Sequence, residues 1–168
     1  KEAANMQGAM DKFNVVFKGG TDEMLEWVDA YRKEFPLAKQ EIVAFSADLQ
    51  SLIVAMGLDR SAAAGMTKEW MHLAGALSAF HDVPMEQALT AIRSGIAGET
   101  EPMKKFGIVL SQAKIEQEAL ALGLITAGQE MSDQVKQQAI LSLAYKQSAD
   151  AVNGLEKQKG SLLWQLQE

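Results

Sequence analysis

Residues 63–80 read AAGMTKEWMHLAGALSAF, and within them Ala63, Met66, Trp70, Leu73, Leu77 and Phe80 recur at steps of 3, 4, 3, 4 and 3. Residues three and four apart share one face of an α-helix, so this series is an apolar stripe that has to be buried against another helix. The same steps recur on both sides of it. Met6, Met10, Phe13 and Phe17 form one series, and Met24, Val28, Tyr31 and Phe35 form a second. Ile42, Phe45, Leu49, Leu52 and Met56 give a third, and Met85, Leu89, Ile92 and Ile96 a fourth. Only Phe13-Asn14-Val15-Val16-Phe17 has much strand character, and the flanking helical pattern outweighs it. The chain holds 25 alanines, the strongest helix formers, which also let helices approach closely. The central stripe spans under three heptads and is interrupted by Gly65 and Gly75, which favours a bundle over a coiled coil. The sequence therefore predicts an all-α fold: a multi-helix bundle of antiparallel helical hairpins, compact or elongated.

Punctuation divides the pattern. Gly19-Gly20 ends the first helix, with Thr21 as N-cap and Asp22 and Glu23 as first-turn acids of the second. Pro36 stops the second helix, and Gly57 with Asp59 separates the third from the fourth. Val83-Pro84 opens the fifth, with the proline in a first turn where its missing N–H is harmless. Gly98-Glu99-Thr100-Glu101-Pro102 reads as a stop and restart: glycine leaves one helix, Thr100 caps the next, and Pro102 lies in its first turn. Two readings of this corner are open, a packed turn with Phe106 buried or a flexible joint with Phe106 free. Gly107, Gly123 and Gly128 divide the remainder, Ser132-Asp133 begins one long amphipathic stretch, and Gly154 and Gly160 loosen the tail. Trp164 with Leu162, Leu163 and Leu166 calls for a partner, within this chain or in a longer one. The small residues Ala62, Ala63, Ala64, Gly65, Ala74, Gly75 and Ala76 suit close helix crossing, and the nine methionines suit core filling.

A chain of 168 residues buries enough surface to fold without disulfide or metal staples. With 48% apolar and 23% charged residues it has the composition of a globular domain and not of a disordered one. A formal charge of −6 argues against a phosphate backbone as the main partner. The absence of cysteine excludes disulfides, cysteine-ligated zinc and a thiol nucleophile. The longest uncharged stretch of the first third, Leu49 to Leu58, is broken by Gln50 and Ser51 and is far short of a membrane span. Lys1-Glu2 opens the chain without an initiator methionine or a leader, which suggests a single helical module, residues 1–168, excised from a longer protein, with a weaker sub-boundary near 36–41.

Catalytic signatures are thin. None of the nucleophile-elbow, zincin, phosphate-loop or dinucleotide-binding motifs occurs. His72 and His81 are nine residues apart, not the four that would put two imidazoles on one helical face. His81-Asp82 resembles an oriented general base, but no nucleophile stands beside it, and a half-exposed histidine at a helix end is the plainer account. The carboxylates scatter as a solvated helix surface would. The sequence assigns no catalytic, cofactor-binding or metal-ligating residue and no cofactor.

Residues 73–80, LAGALSAF, then 83–89, VPMEQAL, then 91–108, AIRSGIAGETEPMKKFGI, resemble the tail tape measure proteins of long-tailed bacteriophages and prophages. In that family a block of the form A-L-x-S-x-[IL]-x-G-E-x-E-P-[LM]-x-[RK]-F-G-I leads into S-x-A-x-x-x-x-x-A-L-x-x-G. The continuation here runs from Ser111 to Gly123, with Ala113, Ala119 and Leu120 in register. Ala55-Met56-Gly57-Leu58 with Ala62-Ala63 upstream, and Met131 to Tyr145 downstream, are also similar to the family pattern. The stretch Gln147 to Gly154 keeps its pattern only in part, and residues before Phe45 match weakly. The likeness runs from near Ala55 to Ser161.

The resemblance implies a non-enzymatic structural and assembly module of a virion component in the tail-tube lumen, formed in the bacterial host cytoplasm. It would contribute to tail length and tail tube assembly. Its partners would be tail tube proteins, tail assembly chaperones and other copies of itself, with no small-molecule substrate, no direct nucleic-acid binding and no membrane span. A continuous helix of 168 residues would reach about 250 Å. Breaks at glycine and proline make this piece a folded module within a ruler, not the uniform rod. Two other classes stay open. One is an acidic all-helical protein-binding adaptor unrelated to phage tails. The other is a cell-wall hydrolase of the kind some tape measure proteins carry elsewhere, for which no acid–base pair appears here.

Overall fold

Pro36 decides where the second helix stops. The residue before a proline is driven out of the helical region, and Phe35 is extended at φ −121°, ψ 140°. The computed structural model describes the backbone of residues 2–159 and the side chains of residues 6–154. The helices are α1 Glu2–Val16, α2 Thr21–Glu34, α3 Lys39–Ala55, α4 Arg60–His81 and α5 Met85–Ala97. A 3₁₀ segment Glu101–Phe106 follows, then α6 Gln112–Ala121, α7 Asp133–Gln147 and α8 Ala149–Lys159. The described residues contain no strand, and the helices pack into an all-α bundle. The Trp164 segment lies outside the described residues.

The predicted stripes form the core. Phe13, Phe17, Met24, Val28, Tyr31, Phe35, Ile42, Leu49, Ala63, Met66, Trp70, Leu73 and Leu77 are all buried, as are Met85, Leu89, Ile92 and Ile96. Met6, Met10, Phe45, Leu52 and Met56 are half-buried, and Phe80 is exposed at 57%. It stands near the end of α4, with its ring edge-on to His81 at 5.1 Å. From Met71 to Leu77 every residue of α4 is buried, so this part of the helix is enclosed on all sides. A helix enclosed all round needs small residues where its neighbours cross. Gly75 is such a crossing: a Cβ there would run into the Phe35 ring. That ring is held by Tyr31 at 4.5 Å and His72 at 6.0 Å.

Polar groups inside the core fix the register. The Gln50 amide, 0% exposed, donates to Val16 O at 3.2 Å and Arg60 O at 3.0 Å, and accepts from the Thr67 hydroxyl at 3.0 Å. One side chain thus ties the end of α1, the start of α4 and the middle of α4 to α3, with its donors and acceptor used inside the protein. The Tyr31 hydroxyl donates to Met71 O at 2.8 Å, joining α2 to α4 past the 35–38 connection and α3. Since Phe35 meets Gly75 four residues further along, α2 and α4 run in the same direction. Asp133, at the start of α7, abuts Gly57 in the α3–α4 turn, and the Tyr145 hydroxyl donates to Glu69 O at 2.5 Å. Both chains advance twelve residues between these contacts, so α7 also runs alongside α4 in the same sense.

Several boundaries differ from the sequence reading. Thr21 is the first residue of α2 and not its cap; its hydroxyl donates back to Phe17 O at 3.2 Å because the Gly19-Gly20 turn brings that carbonyl within reach. Asp59 and Ser132 cap α4 and α7 through their side chains, as does Ser111 for α6. Pro84 sits at the cap position just before α5. Thr100 precedes the 3₁₀ segment with a helical backbone and makes no side-chain cap, so what restarts there is one tight turn and not an α-helix. The long final stretch breaks at Ser148 into α7 and α8, and Gly154 is an ordinary residue of α8.

The Gly98–Gly107 corner is packed. Gly98 leaves α5 in the left-handed region at φ 101°, and Glu99 N–H returns to Ser94 O at 2.8 Å. Met103, Phe106 and Ile108 turn inward and are buried together with Ile92 and Ile96. Gln147 then clamps the chain beyond, its amide bonding both N–H and C=O of Val109 at 2.6 and 2.9 Å. Phe106→Ala should lose about 3–5 kcal/mol of stability through lost contacts and a cavity. Denaturant unfolding checks it, and a midpoint shift worth less than about 1 kcal/mol would contradict the packed corner.

Candidate functional site

Three helices present the same four-point face to one concavity. On α2 it is Glu23, Glu26, Trp27 and Ala30; on α4, Ala62, Gly65, Met66 and Glu69; on α7, Gln138, Leu141, Ser142 and Tyr145. Each set is spaced i, i+3, i+4, i+7, the face of a helix looking one way. Because α2 and α7 flank α4 in the same direction, these faces line a groove of about 1160 Å³. The floor is apolar, made by Trp27, Met66 and Leu141. Its width comes from α4, where a Cβ on Gly65 would meet nothing within 4 Å. Trp27 also carries an indole N–H that no described group accepts.

The rim is charged and mostly acidic. Glu23, Glu26 and Glu69 face Lys68 and Lys146. Burial pushes the Glu69 carboxyl above its ordinary value. Lys146 is already engaged: its ammonium lies 2.8 Å from Glu118, whose other oxygen accepts from Ser142 at 2.5 Å. Burial pushes the Glu118 carboxyl up, but the hydrogen bonds from Lys146 and Ser142 and the Lys146 charge outweigh it and hold it below the usual range. Glu118 is 6% exposed, which departs from the expected solvated surface. The Ser142/Lys146 pair at i, i+4 on α7 is what receives it, and only the packing of α6 on α7 brings them together.

The histidines do not converge. His72 is 1% exposed in the core beside Phe35, and burial lowers its pKa to about 4. His81 is half-buried at the last residue of α4, edge-on to Phe106 at 5.2 Å, with Asp82 exposed next to it. Among the described residues no three His, Cys, Asp or Glu side chains gather as a metal site, and no helix is long and apolar enough to cross a membrane. No family model, no curated protein and no solved structure matches the chain.

The groove escaped the sequence reading. Its one visible signal is that Ala62 and Gly65 lie on the same turn face as Met66 and Glu69, a small, small, apolar, charged set that an enclosed helix face does not use. What the sequence could not supply is that α2 and α7 bring matching faces to it.

Two carboxyl shifts and one imidazole shift give the acid limb of stability its form. His72 has a folded value of about 4 against an unfolded 6.5, so the unfolded chain takes up its proton first. Its contribution is complete above pH 6.5 and is lost as pH falls to about 4, on the order of 3 kcal/mol in all. Glu118, lowered from 4.5, adds a further loss below that pH. Glu69, raised by burial, works in the opposite sense. Unfolding free energies measured from pH 7 to 4 should fall for the native chain and fall distinctly less for His72→Gln; equal slopes would contradict the assignment.

Proposed function

We propose that this chain is a non-enzymatic structural and assembly module of a tail tape measure protein from a long-tailed bacteriophage or prophage. The observation that carries the reading is the ordered block Gly98-Glu99-Thr100-Glu101-Pro102 to Phe106-Gly107-Ile108, followed in register by Ser111 to Gly123. It is supported by the part those residues play: Gly98 turns the chain, and Met103, Phe106 and Ile108 lock the turn into the core. On this reading the module sits in the tail-tube lumen of the virion and is made in the host cytoplasm. It contributes to tail length and tube assembly through tail tube proteins, assembly chaperones and further copies of itself. A folded bundle converts residue number into length far less efficiently than a continuous helix at 1.5 Å per residue. The module's role is therefore in assembly contacts more than in reach.

One observation favours a second reading. The three-helix groove, apolar below and acidic at the rim, suits an acidic all-helical adaptor that binds a protein segment without any link to phage tails. The genes flanking the parent gene separate the two. Tail tube, tail assembly chaperone and baseplate genes on either side are expected; their absence would overturn the tail reading and leave the adaptor.

A further inference from the structure

The groove changes sign along its length. Tyr31 bonds Met71 and Phe35 abuts Gly75, both 40 residues apart, while Gly57 abuts Asp133 and Tyr145 bonds Glu69, both 76 apart. These registers put Glu23 level with Ala62 at one end, Glu26 level with Met66 in the middle, and Glu69 level with Tyr145 at the other end. Carboxylates therefore follow the groove along its whole length, and Lys146 beside them is held by Glu118. Beyond the Glu23 end lies a second concavity of about 180 Å³, which shares Glu23 and Lys68 with the groove and adds Lys18 and Arg60. Among the described residues, Lys18, Arg60 and Lys68 form no salt bridge. Helices α2 and α4 both begin at this basic mouth, at Thr21 and Arg60, and their dipoles add to its positive potential.

We propose that the groove receives an amphipathic helix of a partner protein, antiparallel to α2, α4 and α7, with lysine or arginine beside its apolar stripe and acidic residues at its C-terminal end. The stripe lies on the floor of Trp27, Met66 and Leu141, in the room that Gly65 leaves open. Its cations meet Glu23, Glu26 and Glu69, and its C-terminal acids meet Lys18, Arg60 and Lys68. The antiparallel direction also sets the negative end of the incoming helix dipole against the positive ends of α2 and α4. A helix about 10 Å wide fills 1160 Å³ over about 15 Å, or about ten residues, so the space matches one short helix. A second copy of this chain, at a formal charge of −6, is the poorer occupant for an acidic rim. The proposal rests on the reading of this face as a site for a protein segment, and adds to it the charge and the direction of that segment.

Three synthetic helical peptides of about 14 residues test it, all with the same leucine stripe and blocked ends. The first has lysines beside the stripe and a glutamate pair at its C-terminal end. The second carries that pair at its N-terminal end instead, and the third has glutamates in place of the lysines. In calorimetric titration of the 168-residue chain the first peptide should bind one to one, and about tenfold more tightly than either of the others. Gly65→Gln projects an uncharged side chain into the groove from an open helical position, so it should abolish binding without disturbing the core. Arg60→Gln should narrow the gap between the first two peptides. Circular dichroism of both variants separates loss of binding from loss of fold. A second peptide that binds as tightly as the first, or a Gly65→Gln chain that binds as the native one does, would overturn the proposal. Binding of the third peptide in preference to the first would overturn it too, yet leave the groove as a site for a protein segment. Binding of none would overturn both.

Discussion

The Phe35 ring occupies the space where any side chain on residue 75 would stand, and the bundle depends on that crossing. Phe35 is the core residue that follows α2 directly, on extended backbone before Pro36. Its ring covers α4 at Gly75, one of the two positions where α4 has no Cβ. Tyr31, one turn earlier, stacks on the same ring and ties its hydroxyl to Met71 O. With α2 laid down along α4, the direction of the polypeptide through the connection to α3 is set. Gln50 can then reach Val16, Arg60 and Thr67 at once. The enclosed length of α4, Met71 to Leu77, is enclosed because this side of it is closed at contact distance.

Enclosure stops before the N-terminal turns of α4, and that change of packing creates the groove. At Ala62 and Gly65 the same kind of small residue meets no ring and no helix. The two flanking helices leave a channel there, floored by Trp27, Met66 and Leu141. Small residues on one helix thus do two jobs: at Gly75 they admit a neighbour, and at Gly65 they leave room for one. The Glu118–Lys146–Ser142 cluster ties α6 to the α7 side of the groove and engages Lys146 there.

Stripes were readable from sequence because a period of 3.6 is written in the apolar residues themselves, and the core follows them from Phe13 to Ile96. The corner was readable because Gly98 and Gly107 both take left-handed backbone and Pro102 marks the turn between them. Details set by neighbours in space were not. Thr21 has the chemistry of a cap, yet Gly19-Gly20 brings Phe17 O to its hydroxyl. Ser148 ends α7 without a glycine or a proline, and Gly154 carries on a helix regardless. Phe80 continues a stripe past the point where anything covers it. Glu118 reads as a surface residue until α6 is packed on α7. The groove needed three helices in register, which no single window of sequence displays.

The variant Gly75→Ala tests the central crossing most directly, because two physical effects give it opposite signs. In an open helix interior, alanine for glycine stabilises by about 1 kcal/mol. If the Phe35 ring fills the space beside residue 75, the added methyl must displace a ring held by Tyr31 and His72, and overpacking of this kind loses about 1–3 kcal/mol or more. Denaturant unfolding should therefore show Gly75→Ala less stable than the native chain, with much of the loss recovered when Phe35→Leu is added to make room. A Gly75→Ala chain as stable as the native one, or more so, would contradict the account.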